Sequence, residues 1–275
     1  PAGQCIANPR GRARSCKNPR RSLNRYPLTE ERLKMNALLL THARQYVGPG
    51  VVPVVLREQH RLVCHDTGFA DPDVARNFEL AHAGAVALRE QTPDGISEEL
   101  KERGLEIAAV ISNDVFPNTP LPIEEVSLET LRQSVEALLI FPYRLTQLLL
   151  PPMKLARRGT FVFITSARYL QPEPGFSVAT SVRAGTTAFA LALAKEAAPF
   201  GIQVNVVAPN YLYSEAYYPR ARFIDDPAGR REIASKVPMG RLGEPREIGE
   251  LIEFLASGRS PFTTGQVINF SGGWP

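Results

Sequence analysis

Cysteine is scarce in this chain of 275 residues: there are three, Cys5, Cys16 and Cys64, with no metal-type spacing. Three thiols cannot all pair, which excludes a closed disulfide framework and makes a reducing compartment the expectation. Histidine numbers four, scattered and without a His-x-x-x-His pattern, so no metal site is expected. The chain also lacks any run of eighteen apolar residues free of charge or proline. Its nearest approach, Leu138 to Leu150, contains Pro142 and Arg144, which excludes a helical membrane span. No internal repeat of fixed period is present.

Acids are missing from one region. Residues 1–34 carry nine Lys and Arg against Glu30 and Glu31, a net of +7, whereas the remainder carries 23 basic residues against 26 acids, a net of −3. Asn8-Pro9, Asn18-Pro19 and Tyr26-Pro27 interrupt any helix there, so residues 1–34 read as an extended basic arm and residues 35–275 as one α/β domain. Three readings of the arm stand together. It is a partner surface through which the chain joins a larger assembly, a solvated tail, or sequence upstream of a start at Met35. Arg10, Arg12, Arg14, Lys17, Arg20 and Arg21 would also neutralise nucleic-acid phosphates, with only Tyr26 to stack on bases. The Arg-rich, acid-poor composition is like that adjoining a mitochondrial presequence, which points to the matrix side, with the cytoplasm as the alternative.

What the chain does have is alternation. Apolar, β-branched runs predict strands at Ala37 to Thr41, Arg61 to His65, Glu106 to Ser112, Gly159 to Thr165, Gln203 to Ala208 and Gln266 to Phe270, with helical patterns between them. That order predicts a doubly wound, Rossmann-like parallel sheet. Helices are expected from Pro49-Gly50 onward with Pro53 in the first turn, from about 128 to 150, and from about 181 to 198. Tyr213 to Pro227, aromatic and irregular, reads as a lid.

In such a sheet the chemistry gathers at the carboxyl ends of the strands, where Ser166 and Arg183 would converge. Ser166 is followed by twelve residues, Ala179, three more and Arg183. This spacing resembles the Ser-Tyr-Arg triad of the halohydrin dehalogenases, a branch of the short-chain dehydrogenase/reductase superfamily that has lost nicotinamide binding. The likeness runs from about Met35 to Pro275. A reductase has Thr-Gly-x-x-x-Gly-x-Gly after its first strand, whereas this loop reads Thr41-His42-Ala43-Arg44-Gln45-Tyr46-Val47-Gly48. His42 and Tyr46 take two of the three glycine positions, in space a dinucleotide needs, so no nicotinamide cofactor is expected. Asp66, where a dinucleotide-binding domain often holds a ribose, is read as a structural remnant.

The resemblance implies a halide pocket walled by Tyr46, Pro209, Asn210, Tyr211 and Leu212 and braced by Asn113 and Asp114, and a ligand that is a halide, a small halohydrin or an epoxide. A halide is a large, weakly hydrated anion that an aromatic edge and a few N–H donors hold without full positive charge. It also implies an oligomer in which two long helices pack against a twofold mate, and a mechanism. The serine holds the substrate hydroxyl, the tyrosine takes its proton, and the alkoxide displaces the neighbouring halide to close an epoxide. Arginine lowers the tyrosine's pKa from about 10. Here Ala179 stands in place of the tyrosine, which makes Ser166 and Arg183 vestigial. Tyr169 is the one nearby phenol the sequence offers as a substitute. In the best-known dehalogenases a tryptophan on a longer tail enters the neighbour's pocket; this chain runs to Gly273-Trp274-Pro275, and that feature is not carried over.

Three functions follow: a non-catalytic accessory or structural subunit of a larger assembly; a halohydrin dehalogenase or epoxide-opening enzyme that works through a water or Tyr169, or one deliberately inactivated at Ala179; and an NAD(P)-dependent reductase. The last requires a glycine-rich loop and a Tyr-x-x-x-Lys pair, and the chain has neither.

Overall fold

A computed structural model describes residues 37–117 and 119–275. The basic arm of residues 1–34, with every partner and compartment reading built on it, lies outside the described residues. Seven strands form one parallel sheet: β1 (Ala37–Leu40), β2 (Leu62–Cys64), β3 (Ala85–Ala87), β4 (Ile107–Ser112), β5 (Gly159–Ile164), β6 (Ile202–Pro209) and β7 (Val267–Phe270). Their order is β3-β2-β1-β4-β5-β6-β7. Side chains alternate across a strand, so each strand feeds two cores. Leu39, Val110, Phe161, Phe163, Val204 and Val206 enter one. Leu38, Leu40, Ala109, Ile111, Val162 and Ile164 enter the other.

The first core is covered by α3 (Pro93–Glu102), α5 (Phe141–Ala156) and α6 (Ser177–Ala197), through Ile96, Leu145, Leu149 and Leu193. The second is covered by α1 (Gly48–Arg57), α2 (Pro72–Ala81) and α8 (Pro245–Ala256), through Val51, Val55, Phe78, Ile248 and Ile252. Helices α1 and α8 cross at backbone distance. A Cβ on Gly50 would lie 2.0 Å from the Pro245 carbonyl oxygen, and one on Gly249 would lie 2.4 Å from that of Gly50. The remaining helices are α4 (Leu128–Val135) and α7 (Pro227–Lys236). Among the described residues no helix is long and apolar enough to cross a membrane.

Six predicted strands stand where expected, to within a residue or two. The seventh, β3, was missed: it has three residues, two of them alanine, and pairs only with β2. The single helix expected over 128–150 is instead three segments, because Glu136–Ile140 is a π turn between α4 and α5. Pro142 has no N–H for the Leu138 carbonyl four residues back, and the Thr186 hydroxyl of α6 donates to that carbonyl at 2.7 Å. Pro49 occupies the first turn of α1, and Pro53 lies further inside it than predicted. Helix α6 starts at Ser177 and not near 181. Gly175, at φ 83°, turns the chain so that helix begins two residues later.

Candidate active site

The carboxyl end of β5 and the first turns of α6 are tied together. Arg183, buried, donates from Nη1 to the Ile164 carbonyl and from Nη2 to the Asp114 carbonyl, both at 2.8 Å. Thr187 Oγ1 donates to Thr165 Oγ1 at 3.0 Å. These bonds fix the helix on the strand end, and the earlier start of α6 puts Ala179 one turn before Arg183 on the same face. Ser166 caps the short 3₁₀ turn Ala167–Leu170, its hydroxyl oxygen accepting from the Arg168 N–H at 3.2 Å. Its own proton is left free to donate. Ser166, Ala179 and Arg183 all line one cavity of about 110 Å³.

The five residues expected as a halide wall, Tyr46, Pro209, Asn210, Tyr211 and Leu212, line the same cavity. Beyond Pro209, the end of β6, the Asn210 N–H donates to the Phe270 carbonyl at 3.0 Å, and the Tyr211 N–H to Asn210 Oδ1 at 3.0 Å. Tyr211 has φ 53°. A left-handed tyrosine costs about 1–2 kcal/mol, so it is held from several sides. Its carbonyl accepts from the Gly243 N–H at 2.9 Å, and its ring meets Trp274 and Tyr218 at 5.6 and 5.7 Å.

Asn113 and Asp114 brace the loop after β1. Asn113 Nδ2 donates to the His42 and Gln45 carbonyls at 3.0 and 2.9 Å. Asp114 accepts from Thr41 Oγ1 at 2.9 Å and from Ser112 Oγ, and its Oδ1 lies 3.4 Å from His42 Nδ1. Burial pushes the Asp114 carboxyl up, but His42 and the two hydroxyls outweigh it and hold the group below the usual carboxylate range. His42 and Tyr46 keep left-handed backbone, φ 47° and 49°, at the positions where a reductase has glycine. Their side chains part company. The buried imidazole packs against His65 and Phe141, and the residue also borders the wider groove described below. The Tyr46 phenol faces the cavity.

A second, wider cavity of about 920 Å³ borders His42, Arg44, Pro49 and Thr67. Tyr46 and Tyr217 line both cavities and pair edge to face at 5.5 Å. A nicotinamide lying in the wider groove would meet this pair before it reached Ser166. Asp66, at the end of β2, is already engaged: it accepts from the Arg44 and Gly68 N–H groups, both at 3.0 Å, and lies 3.6 Å from the Arg44 guanidinium. Tyr46 thus stands between the wider groove and the Ser166 cavity, and the Asp66 carboxylate already braces the loop after β1 where a dinucleotide-binding domain holds a ribose. Among the described residues no group of three or more His, Cys, Asp or Glu is placed to hold a metal.

Sequence reasoning missed part of the wall. Tyr169 does not line the cavity, whereas Tyr217, Tyr218, Phe176 and Arg168 do; with the two expected wall residues Tyr46 and Tyr211, four phenols face it. Tyr46, Tyr211 and Tyr218 all give up their protons less readily than a free phenol. Burial raises Tyr46, and the nearby Arg183 charge offsets only part of the rise. Burial raises Tyr211 as well, and pushes Tyr218 up to about 12. Tyr217 and Tyr218 belong to the segment Tyr213 to Pro227 expected as a lid above the pocket, and both line it. Arg168 carried no signal beyond its place two residues after Ser166.

A family model described as enoyl-(acyl carrier protein) reductase matches residues 87–275. Among solved structures, the chain is similar to a dehalogenation enzyme at 32% identity and TM-score 0.83, covering 88% of this chain and 99% of that one. It is also similar to a halohydrin dehalogenase bound to ethyl (2S)-oxiran-2-ylacetate, at 32% identity and TM-score 0.84, covering 87% and 97%. Curated relatives include an uncharacterized oxidoreductase of Bacillus subtilis, 37% identical over 155 residues, 55% of this chain and 61% of that protein. A 3-oxoacyl-[acyl-carrier-protein] reductase of Vibrio cholerae is 24% identical over 88% of this chain and 98% of its own length. The matched segment spans about three fifths of the first of these curated relatives.

Proposed function

This chain belongs to the short-chain dehydrogenase/reductase superfamily, with halohydrin dehalogenase-like relatives, and we propose that it is a cofactor-free binding protein for small halohydrins, epoxides or halide whose turnover is crippled at Ala179. The observation that carries this reading is the position of Ala179: it lines the cavity with Ser166 and Arg183, where a base is needed. Ser166 would donate to the ligand oxygen, and the wall from Pro209 to Leu212 would face the halide. Arg183 is a guanidinium with no phenol one turn away to activate, and it is itself a poor base. Proton removal is thus the missing step.

The test is epoxide formation from 1,3-dichloro-2-propanol, read as proton and chloride release, in the native protein and in Ala179→Tyr. General-base catalysis is typically worth about 10²- to 10⁴-fold, and a gain of that order in the variant is the expected result. Binding of ethyl oxiran-2-ylacetate to the native protein is expected in parallel. Equal turnover in both forms would mean that another group supplies the base. Neither turnover nor binding in either form would end the pocket reading. What would remain is the accessory-subunit role through residues 1–34, mitochondrial or cytoplasmic. Self-association through the stretch 128–150, where Leu128, Ile140 and Tyr143 are exposed, and through α6 belongs to the same proposal.

A further inference from the structure

Among the described residues, the only charged side chains lining the smaller cavity are Arg183 and Arg168, with no Asp or Glu beside them. The two arginines are not equivalent. Arg183 has both terminal nitrogens committed to backbone carbonyls at 2.8 Å. Arg168 borders the Tyr218 phenol and keeps one donor unmet. Its guanidinium lies over the Phe176 ring, 3.8 Å from the centroid, and its side chain is only 15% exposed. Nη1 is buried and makes no hydrogen bond. Its charge partner, Glu173 Oε2, stands 3.6 Å away on a side chain that is 41% exposed and lies outside the cavity wall. A buried N–H donor left without an acceptor is costly, and an ionised acceptor makes the strongest bond to it.

We propose that Arg168 receives a carboxylate of the ligand, so that the cavity selects a small halohydrin or epoxide acid over its neutral ester or amide. The inference rests on the pocket reading above and specifies what that pocket accepts. A guanidinium presents parallel N–H groups that match the two oxygens of a carboxylate, and its stacking on Phe176 fixes the plane in advance. Arg168 follows Ser166 by two residues, so the acid end would lie beside the serine that holds the reacting oxygen. Arg183, with both terminal nitrogens already bonded to backbone carbonyls, is the less available of the two.

Equilibrium binding tests this without any turnover. Sodium oxiran-2-ylacetate, its ethyl ester and its amide are titrated by calorimetry into the native protein and into Arg168→Met, Arg168→Lys and Glu173→Gln. The acid is expected to bind the native protein about tenfold or more tighter than the amide, the scale of one charge-assisted bond. Arg168→Met removes the preference, and Arg168→Lys, which keeps the charge without the fork, retains part of it. Glu173→Gln removes the competing counter-ion at a half-exposed site and strengthens acid binding, which keeps the test valid should an Arg168 variant fold poorly. Equal affinities for acid and amide in the native protein overturn the inference while leaving the pocket reading intact. So does a preference that survives in Arg168→Met, or acid binding weakened by Glu173→Gln. Failure of all three compounds to bind overturns both.

Discussion

Acidification from pH 6.5 to pH 4 is expected to weaken the fold through His65. The residue follows β2, is fully buried, and is packed between His42 and Phe141, at ring distances of 5.0 and 5.4 Å. Burial, and then the neighbouring His42, lower its pKa from 6.5 to about 4, against weaker pulls from Asp114, Asp66 and Gln91. The folded imidazole stays neutral in a range where the unfolded one takes a proton. Stability is therefore complete above pH 6.5 and is lost progressively until the folded pKa is reached. A shift of that size corresponds to roughly 3 kcal/mol, a large fraction of the about 5–15 kcal/mol that holds a typical domain together. The assay is urea unfolding at half-unit steps of pH, for the native protein and for His65→Leu, which fills the apolar site without a titrating group. Asp114 titrates below this window, because its folded pKa is depressed and its contribution disappears only as pH falls further. The native stability is expected to fall across the window and the variant's curve to be flatter by about 3 kcal/mol. Parallel curves would refute the assignment to His65.

Gly249→Ala is expected to lower stability by about 1–3 kcal/mol, the usual cost of forcing atoms into a filled interface, since its Cβ would meet the Gly50 carbonyl oxygen at 2.4 Å. Gly185→Ala in α6, whose nearest neighbour would be Leu139 Cδ2 at 4.0 Å, is the contrast: it should hold or gain up to about 1 kcal/mol of helix propensity. Thermal melts of the two decide it, and a shift in the same direction for both would argue against close backbone approach as the cause. If the proposed oligomer forms through the face of Ile140 and Tyr143, Tyr143→Arg and Ile140→Glu together are expected to leave a monomer by light scattering where the native protein has at least twice that mass, and an unchanged mass would place any interface elsewhere.

The sheet was legible because a parallel strand covered on both faces is apolar along its length, as in Leu38-Leu39-Leu40 and Phe161 to Ile164. The edge strand β3 was not, because Ala85 and Ala87 give neither β-branching nor a hydrophobic run. Ser166 and Arg183 were legible because a strand end and a helix start meet at one crevice in this fold, whereas the importance of Ala179 came from the resemblance to the dehalogenase triad. The π turn was hidden because its cause is split across the sequence: Pro142 frees the Leu138 carbonyl, and Thr186 captures it. Arg168 was hidden for a similar reason. Nothing local says that a charge two residues beyond Ser166 will stack on Phe176 and leave one donor buried.

Of the five non-glycine residues with left-handed φ among those described, Gln59 and Arg157 close helices, whereas His42, Tyr46 and Tyr211 surround the site. A helix end explains the first two. The other three cost about 1–2 kcal/mol each and persist through bonds made by other residues: Asn113 to the carbonyls of His42 and Gln45, and Asn210 and Gly243 to the backbone of Tyr211. None of these supports involves residue 179. The cavity wall is thus built independently of the side chain whose loss removes the base. A tyrosine placed at position 179 would enter a cavity already shaped, one turn from a guanidinium already fixed. Restoring that one side chain therefore isolates the missing proton transfer from the shape of the pocket, and this is why failure of the Ala179→Tyr variant would count against the dehalogenase-like reading rather than against the fold.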